Sequence, residues 1–181
     1  MEDVFQKLIL MIRAYYPVLY LHSYEYYRTK QKIKGIVELL RREGKKVNYY
    51  QWDCVYGLVQ ILPDKTEKRI ERMQNPLEVL AYILNSKKSG EKNIFVLDDI
   101  NNHIERDEVK LMFRKIAEAT NNNTHAIILS SIYRLPAELE KYITVLQIPL
   151  PKRNELGEVL DIVAKQSKVE LKTNLRNRLI D

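Results

Sequence analysis

Four nearly unbroken apolar runs, PVLYLH at 17–22, NIFVLDD at 93–99, HAIILSS at 125–131 and TVLQIPL at 144–150, constrain this chain more than any other feature. A strand with no polar face must be covered on both sides, which is the situation of strands in a parallel sheet wrapped by helices. The intervening segments supply those helices. Residues 3–13 put Val4, Leu8, Met11 and Ile12 on one face. In 28–46, Ile33, Ile36, Val37 and Leu40 recur at helical spacing, rimmed by Lys and Arg and stopped by Gly44. Asn75-Pro76 opens a helix through PLEVLAYILNS, and 104–119 places Val109, Met112, Phe113 and Ile116 together. A short helix fits 137–142, and a last one starts near Asn154. KVNYYQWD at 46–53 has strand composition with a half-polar pattern, which predicts a sheet edge, and the charged stretch 63–74 has no apolar period and is expected to be a loop. Strands alternating with helices require right-handed crossovers. The predicted fold class is therefore α/β, a five-stranded, largely parallel sheet with helices on both faces.

Bulk properties exclude several function classes. At 181 residues the chain suits one domain with a sizeable core. The net charge of +6 comes from basic residues scattered among acids, a weak pattern for nucleic acid. A lone cysteine, Cys54, rules out an internal disulfide and points to a reducing, cytoplasmic setting. The N-terminal segment is too short and too acidic at its start for a membrane span or an export signal. His22, His103 and His125 have no metal-type spacing.

The sharpest local motif is 93–99, an apolar strand that delivers Asp98 and Asp99 at its carboxyl end, where open α/β sheets place their ligands. This is a Walker-B pattern. One carboxylate there can hold Mg²⁺ and its neighbour can orient an attacking water, although a capping role for Asp99 in a turn-rich stretch is the commoner meaning of the dipeptide taken alone. The matching phosphate cradle, G-x-x-x-x-G-K-[ST], is missing. Gly44-Lys45 is followed by Lys46, and Leu39 stands at the upstream glycine position. After the first strand the chain reads Ser23-Tyr24-Glu25-Tyr26-Tyr27-Arg28-Thr29-Lys30, with tyrosines and a glutamate in place of glycines. Thr29 and Lys30 stand as remnants of the hydroxyl and basic positions in reversed order. Three readings of the tyrosines stay open: Tyr24, Glu25, Tyr26 and Tyr27 fill the crevice or contact a partner, they stack an adenine, or, with Arg28, Lys30, Lys32 and Lys34, they bind a nucleic acid strand.

The order of these motifs, closed by Ile148-Pro149-Leu150-Pro151, resembles the core of AAA+ ATPases of the P-loop NTPase superfamily. Tyr16-Pro17-Val18-Leu19-Tyr20, Ser23-Tyr24-Glu25, 136–141 and 143–146 look like the N-terminal half of an AAA ATPase family encoded in algal chloroplast and cyanobacterial genomes. The resemblance implies a core over 1–151 without a phosphate loop, the start of a helical lid over 152–181, and a complete AAA+ module in the same longer protein or a homo-oligomer as partner. ATP and Mg²⁺ are the cofactors it implies. Asp98 then takes the metal-holding position, Asp99 replaces the usual catalytic glutamate, and Ser131 falls where a polar sensor meets the γ-phosphate. Between Leu135 and Thr144 the paired arginines of active members are missing, leaving Arg134 and Lys141. The function expected is a non-hydrolysing, regulatory or scaffolding ATPase-like domain. The alternatives are an atypical ATP-binding enzyme using Asp98, and a nucleic-acid-binding module.

Overall fold

A computed structural model describes residues 4–70, 73–86, 90–119, 123–151 and 153–167. Two compact units divide the chain between Ile148 and Pro149; the second contains helix α5 (Arg153–Gln166), and the rest of the expected lid, 168–181, lies outside the described residues. The first unit opens with α1 (Val4–Arg13), which buries Phe5, Leu8, Ile9 and Ile12. Pro17 then leads into β1 (Val18–His22), buried at its first four positions as its apolar run requires. Helix α2 (Tyr26–Arg42) buries Thr29, Ile33, Ile36, Val37 and Leu40. Gly44 stops it, its φ of 80° turning the chain so that the Lys45 N–H reaches the Leu40 carbonyl.

The next stretch departs from expectation. Strand β2 (Val47–Asp53) is not an edge: it pairs in parallel with β5 (Lys92–Asp98) and antiparallel with β3 (Gly57–Ile61), which pairs in turn with β4 (Glu67–Ile70). The sheet among the described residues thus has seven strands, not five, and 67–70 is a strand, not a loop. The turn is set by Asp53, whose carboxylate accepts the Val55 and Tyr56 N–H groups at 2.8 and 2.7 Å before Gly57 at φ 76°. The half-polar pattern of β2 reflects its neighbours: Asn48 donates to Asn93 Oδ1 at 3.0 Å and Gln51 to the Tyr49 hydroxyl at 2.7 Å. The edge on this side of the sheet is β4, which carries Glu67, Lys68 and Arg69 exposed, a composition that discourages further strand addition.

Asn75 caps α3 (Pro76–Asn85) by accepting the Leu77 N–H, and α4 (Asp107–Glu118) follows β5 with two acids in its first turn. Strands β6 (Thr124–Ser130) and β7 (Thr144–Gln147) complete the order β4-β3-β2-β5-β6-β1-β7. The expected helix at 137–142 is a single 3₁₀ turn, Ala137–Leu139. Helices α1 and α2 cover one face with Leu19, Leu21, Val96 and Leu129; α3 and α4 cover the other with Tyr20, Phe95, Leu97 and Ile128. Among the described residues no helix is long and apolar enough to cross a membrane.

Candidate functional site

Among the described residues the strand order reverses at the carboxyl ends of β1 and β6, where an open α/β sheet offers a crevice. From β1 the chain crosses to β2 on one side, while from β6 it passes over β1 to β7 on the other, so the connections leaving the carboxyl ends of β1 and β6 diverge. Ligands of open α/β sheets bind at such a switch point. Its walls are His22-Ser23 after β1, Asp98-Asp99 after β5, Ser130-Ser131 after β6, and the first turn of α2.

The side chains there are joined to one another. The Tyr26 hydroxyl donates to Asp99 Oδ1 at 2.5 Å and accepts the Ser131 N–H at 2.9 Å. Ser130 donates its hydroxyl to the same Asp99 oxygen at 2.7 Å. Asp99 sits in the left-handed region at φ 50°, a conformation Asp tolerates better than most residues, and this turns its carboxylate back toward Tyr26. The Lys30 ammonium pairs with Asp98 Oδ2, with both side chains mostly buried at 23% and 16% exposure. Burial raises the Asp98 carboxyl above its ordinary value, outweighing the lowering by Lys30, while Asp53 and Asp99 add to the rise. Burial also raises the Tyr26 hydroxyl, and its donation to Asp99 adds to it.

Thr29 is fully buried and bonds the Ser23 hydroxyl at 2.8 Å; Ser23 Oγ also accepts the Glu25 N–H at 3.1 Å, which steers the chain into α2. Glu25 pairs with Arg28 at 2.8 Å. The tyrosines expected to act together divide. Tyr26 enters the crevice, whereas Tyr24 and Tyr27 are 65% and 79% exposed and do not fill it. Two of the cations expected to meet a nucleic acid, Arg28 and Lys30, are turned onto acids instead.

Ser131 contributes backbone here: its N–H meets Tyr26 and its carbonyl accepts from His22 Nε2 at 3.0 Å. The side chain that reaches the acids belongs to Ser130, which sequence reasoning passed over; the alternation of side chains along β6 was the available signal. Tyr20 and Asn101 were also missed. The Tyr20 hydroxyl donates to the Ile132 carbonyl at 2.6 Å and Asn101 Nδ2 to the same oxygen at 2.9 Å, fixing the loop after β6. Asp98 Oδ1 and Asn101 Oδ1 are buried without a hydrogen-bond partner among the described residues. Among the described residues no cluster of three or more His, Cys, Asp or Glu side chains is arranged to hold a metal.

A family model, SpoVK-like AAA ATPase, N-terminal domain, matches residues 4–148. The chain belongs to this family. It is 28% identical over 153 residues to the uncharacterized AAA domain-containing protein ycf46 of Guillardia theta, covering 83% of this chain, and 25% identical over 175 residues to that of Pyropia yezoensis, covering 96%. It spans only 28% and 34% of those relatives' lengths. Among solved structures, the fold of this SpoVK-like domain is similar to a chain of the E. coli MS115-1 HORMA:CdnC:Trip13 complex, with a TM-score of 0.61 and 11% identity over 91% of this chain and 55% of that one. It is also similar to a point variant of Thermotoga maritima RuvB, with a TM-score of 0.56 and 15% identity over 98% and 54% of the two chains. These likenesses establish an AAA+, P-loop NTPase-like fold.

Proposed function

We propose that this domain is a non-hydrolysing AAA module, regulatory or scaffolding, that serves a catalytic AAA+ module in a longer protein or a homo-oligomer of its own kind. The observation that carries the reading is the self-occupied crevice, in which Lys30 neutralises Asp98 while Tyr26 and Ser130 together engage Asp99. A triphosphate needs free backbone N–H groups and glycine-permitted curvature at the start of the helix. Here tyrosines and a glutamate take the glycine positions, Glu25 stands at the helix start with a carboxylate that opposes phosphate, and its N–H is already bonded to Ser23 Oγ. The residues present therefore do not fit ATP with Mg²⁺. The length of the relatives supports a companion module in a longer protein. Residues 1–151 are read as the AAA-like core and 152–181 as the start of its lid, working in the cytoplasm.

One observation favours an atypical nucleotide-binding enzyme: Asp98 Oδ1 is buried and lacks a hydrogen-bond partner among the described residues, as an oxygen awaiting water or a cation would. Calorimetry with ATP and Mg²⁺, together with phosphate release, separates the two. No binding and no turnover are expected. Turnover that Asp98→Ala abolishes would overturn the non-hydrolysing reading.

A further inference from the structure

The opposite end of the sheet carries a cavity that the function above does not use. Lys92 opens β5 and Asp98 closes it, so the two ends lie about 20 Å apart at ~3.3 Å per residue. The cavity, of about 440 Å³, is bounded by Tyr15, Lys45, Lys46, Glu91, Lys92 and Asn123, with Gly44 and Gly90 on its rim. Both glycines have positive φ, and a Cβ at either would meet no atom within 4 Å, so the rim is open.

Its charge is one-sided. Three lysines face one glutamate, and Glu91 accepts an amide hydrogen from Asn48 at 3.0 Å. Among the described residues no hydrogen bond or ion pair engages the exposed Lys45 and Lys46 ammonium groups. Lys92 is only 9% exposed, yet among the described residues it has no carboxylate partner; its ammonium donates to the Ile12 carbonyl at 3.1 Å and to His125 Nε2 at 3.0 Å. The Tyr15 ring, 4.6 Å from that ammonium, gives it a third and weak partner. A buried ammonium without an anion is costly, and an anion arriving from outside would offset that cost.

We propose that this cavity binds a small phosphate-bearing dianion, a phosphomonoester or free phosphate, between Lys45, Lys46 and Lys92. Three ammonium groups against one carboxylate leave two positive charges, which a phosphomonoester dianion of about −1.5 to −2 offsets where a monocarboxylate would not. Asn123 adds an amide able to donate to a phosphoryl oxygen. The pKa of Lys92 is in keeping with this: burial, and then the neighbouring Lys45 ammonium, lower it to about 8, a repulsion that a bound dianion relieves.

Calorimetry at low ionic strength with glycerol 3-phosphate, inorganic phosphate and acetate tests the proposal on the intact chain. Both phosphates should bind, with acetate at least about tenfold weaker. The tighter of the two phosphates tells whether the site takes a monoester or the free ion. The double variant Lys45→Met, Lys46→Met changes only exposed side chains and is expected to fold, so it remains informative if Lys92→Met does not. It should weaken phosphate binding by about tenfold or more. Absence of binding by either phosphate, acetate binding as tightly, or affinity unchanged in the double variant would each overturn the proposal.

Discussion

The two ends of the parallel sheet handle charge in opposite ways. At the carboxyl end, acids and their partners come from within the chain: Lys30 meets Asp98, and Tyr26 and Ser130 meet Asp99. At the amino end, Lys45, Lys46 and Lys92 gather around a cavity with a single glutamate, and the buried Lys92 leans on carbonyl, imidazole and aromatic ring. An end that neutralises itself gives a ligand little to add. An end that leaves like charges together is the one a ligand can stabilise. In an AAA-type fold the carboxyl end is where nucleotide is expected, so the non-hydrolysing reading and the phosphate proposal together would invert the usual division of labour.

The largest effect expected from breaking it comes from Lys30→Met. Removing one member of a buried pair strands the other, and Asp98 at 16% exposure cannot recover full hydration. A loss of about 3 kcal/mol is expected, at the low end of the range for buried pairs because both side chains keep some solvent. Chemical denaturation measures it. Asp98→Asn combined with Lys30→Met should recover much of the loss, since the stranded charge is gone.

The amino end is sharpened by pH. His125 is fully buried and donates from Nδ1 to the Tyr16 carbonyl, so Nε2 is the atom that accepts from Lys92. Burial, then the Lys92 charge, lower its pKa from 6.5 to about 4. Between those values the unfolded chain holds a proton that the folded chain does not, so this group makes stability rise with pH from about 4 to 6.5 and fall on acidification, by about 3 kcal/mol in full. Asp98 acts in the opposite sense. Its raised carboxyl keeps a proton in the folded state at pH values above 3.8 where the unfolded chain has lost it, so its contribution declines as pH rises through that range. Denaturation midpoints of the wild type and His125→Gln, followed between pH 4 and 7, should converge toward acid, because the variant lacks the proton-linked loss.

Much of this arrangement is legible in the sequence, and the reasons for the rest are physical. The runs at 18–22, 94–97 and 126–129 announce buried parallel strands because they leave no polar face. The missing glycines after β1 single out 23–30, where the crevice contacts of Tyr26 and Lys30 begin. The β3 and β4 hairpin was hidden because charged edge strands such as Glu67–Ile70 carry the composition of a loop, which is how edges avoid pairing. That Tyr26, and not Tyr24 or Tyr27, turns inward depends on where α2 starts, and helix boundaries are the least sequence-encoded part of a helix. The pairing of Lys92 with His125 joins residues 33 apart on adjacent parallel strands, a register no local pattern specifies.

A smaller effect is expected from Tyr26→Phe. The ring and its packing stay, while Asp99 loses one of two donors and the Ser131 N–H loses its acceptor. The expected cost is about 1 to 2 kcal/mol, the range for an unsatisfied part-buried polar group, read from denaturant midpoints at constant slope. A loss near zero would mean that water replaces the hydroxyl and that the carboxyl end is looser than its geometry indicates.

The smallest effect belongs to Tyr27→Ser, and its smallness is the point. Tyr27 follows Tyr26 directly, but on a helix adjacent residues diverge by about 100°, so one ring lies in the crevice and the next stands 79% exposed. Its removal in the isolated domain should change stability by less than about 0.5 kcal/mol. A larger loss would show that the ring packs on this chain after all, and would return it to the crevice-filling role. If the small value holds, any effect of Tyr27→Ser that emerges only in a longer chain or an assembly must come from a surface outside this domain, because the domain's own packing has no stake in the ring.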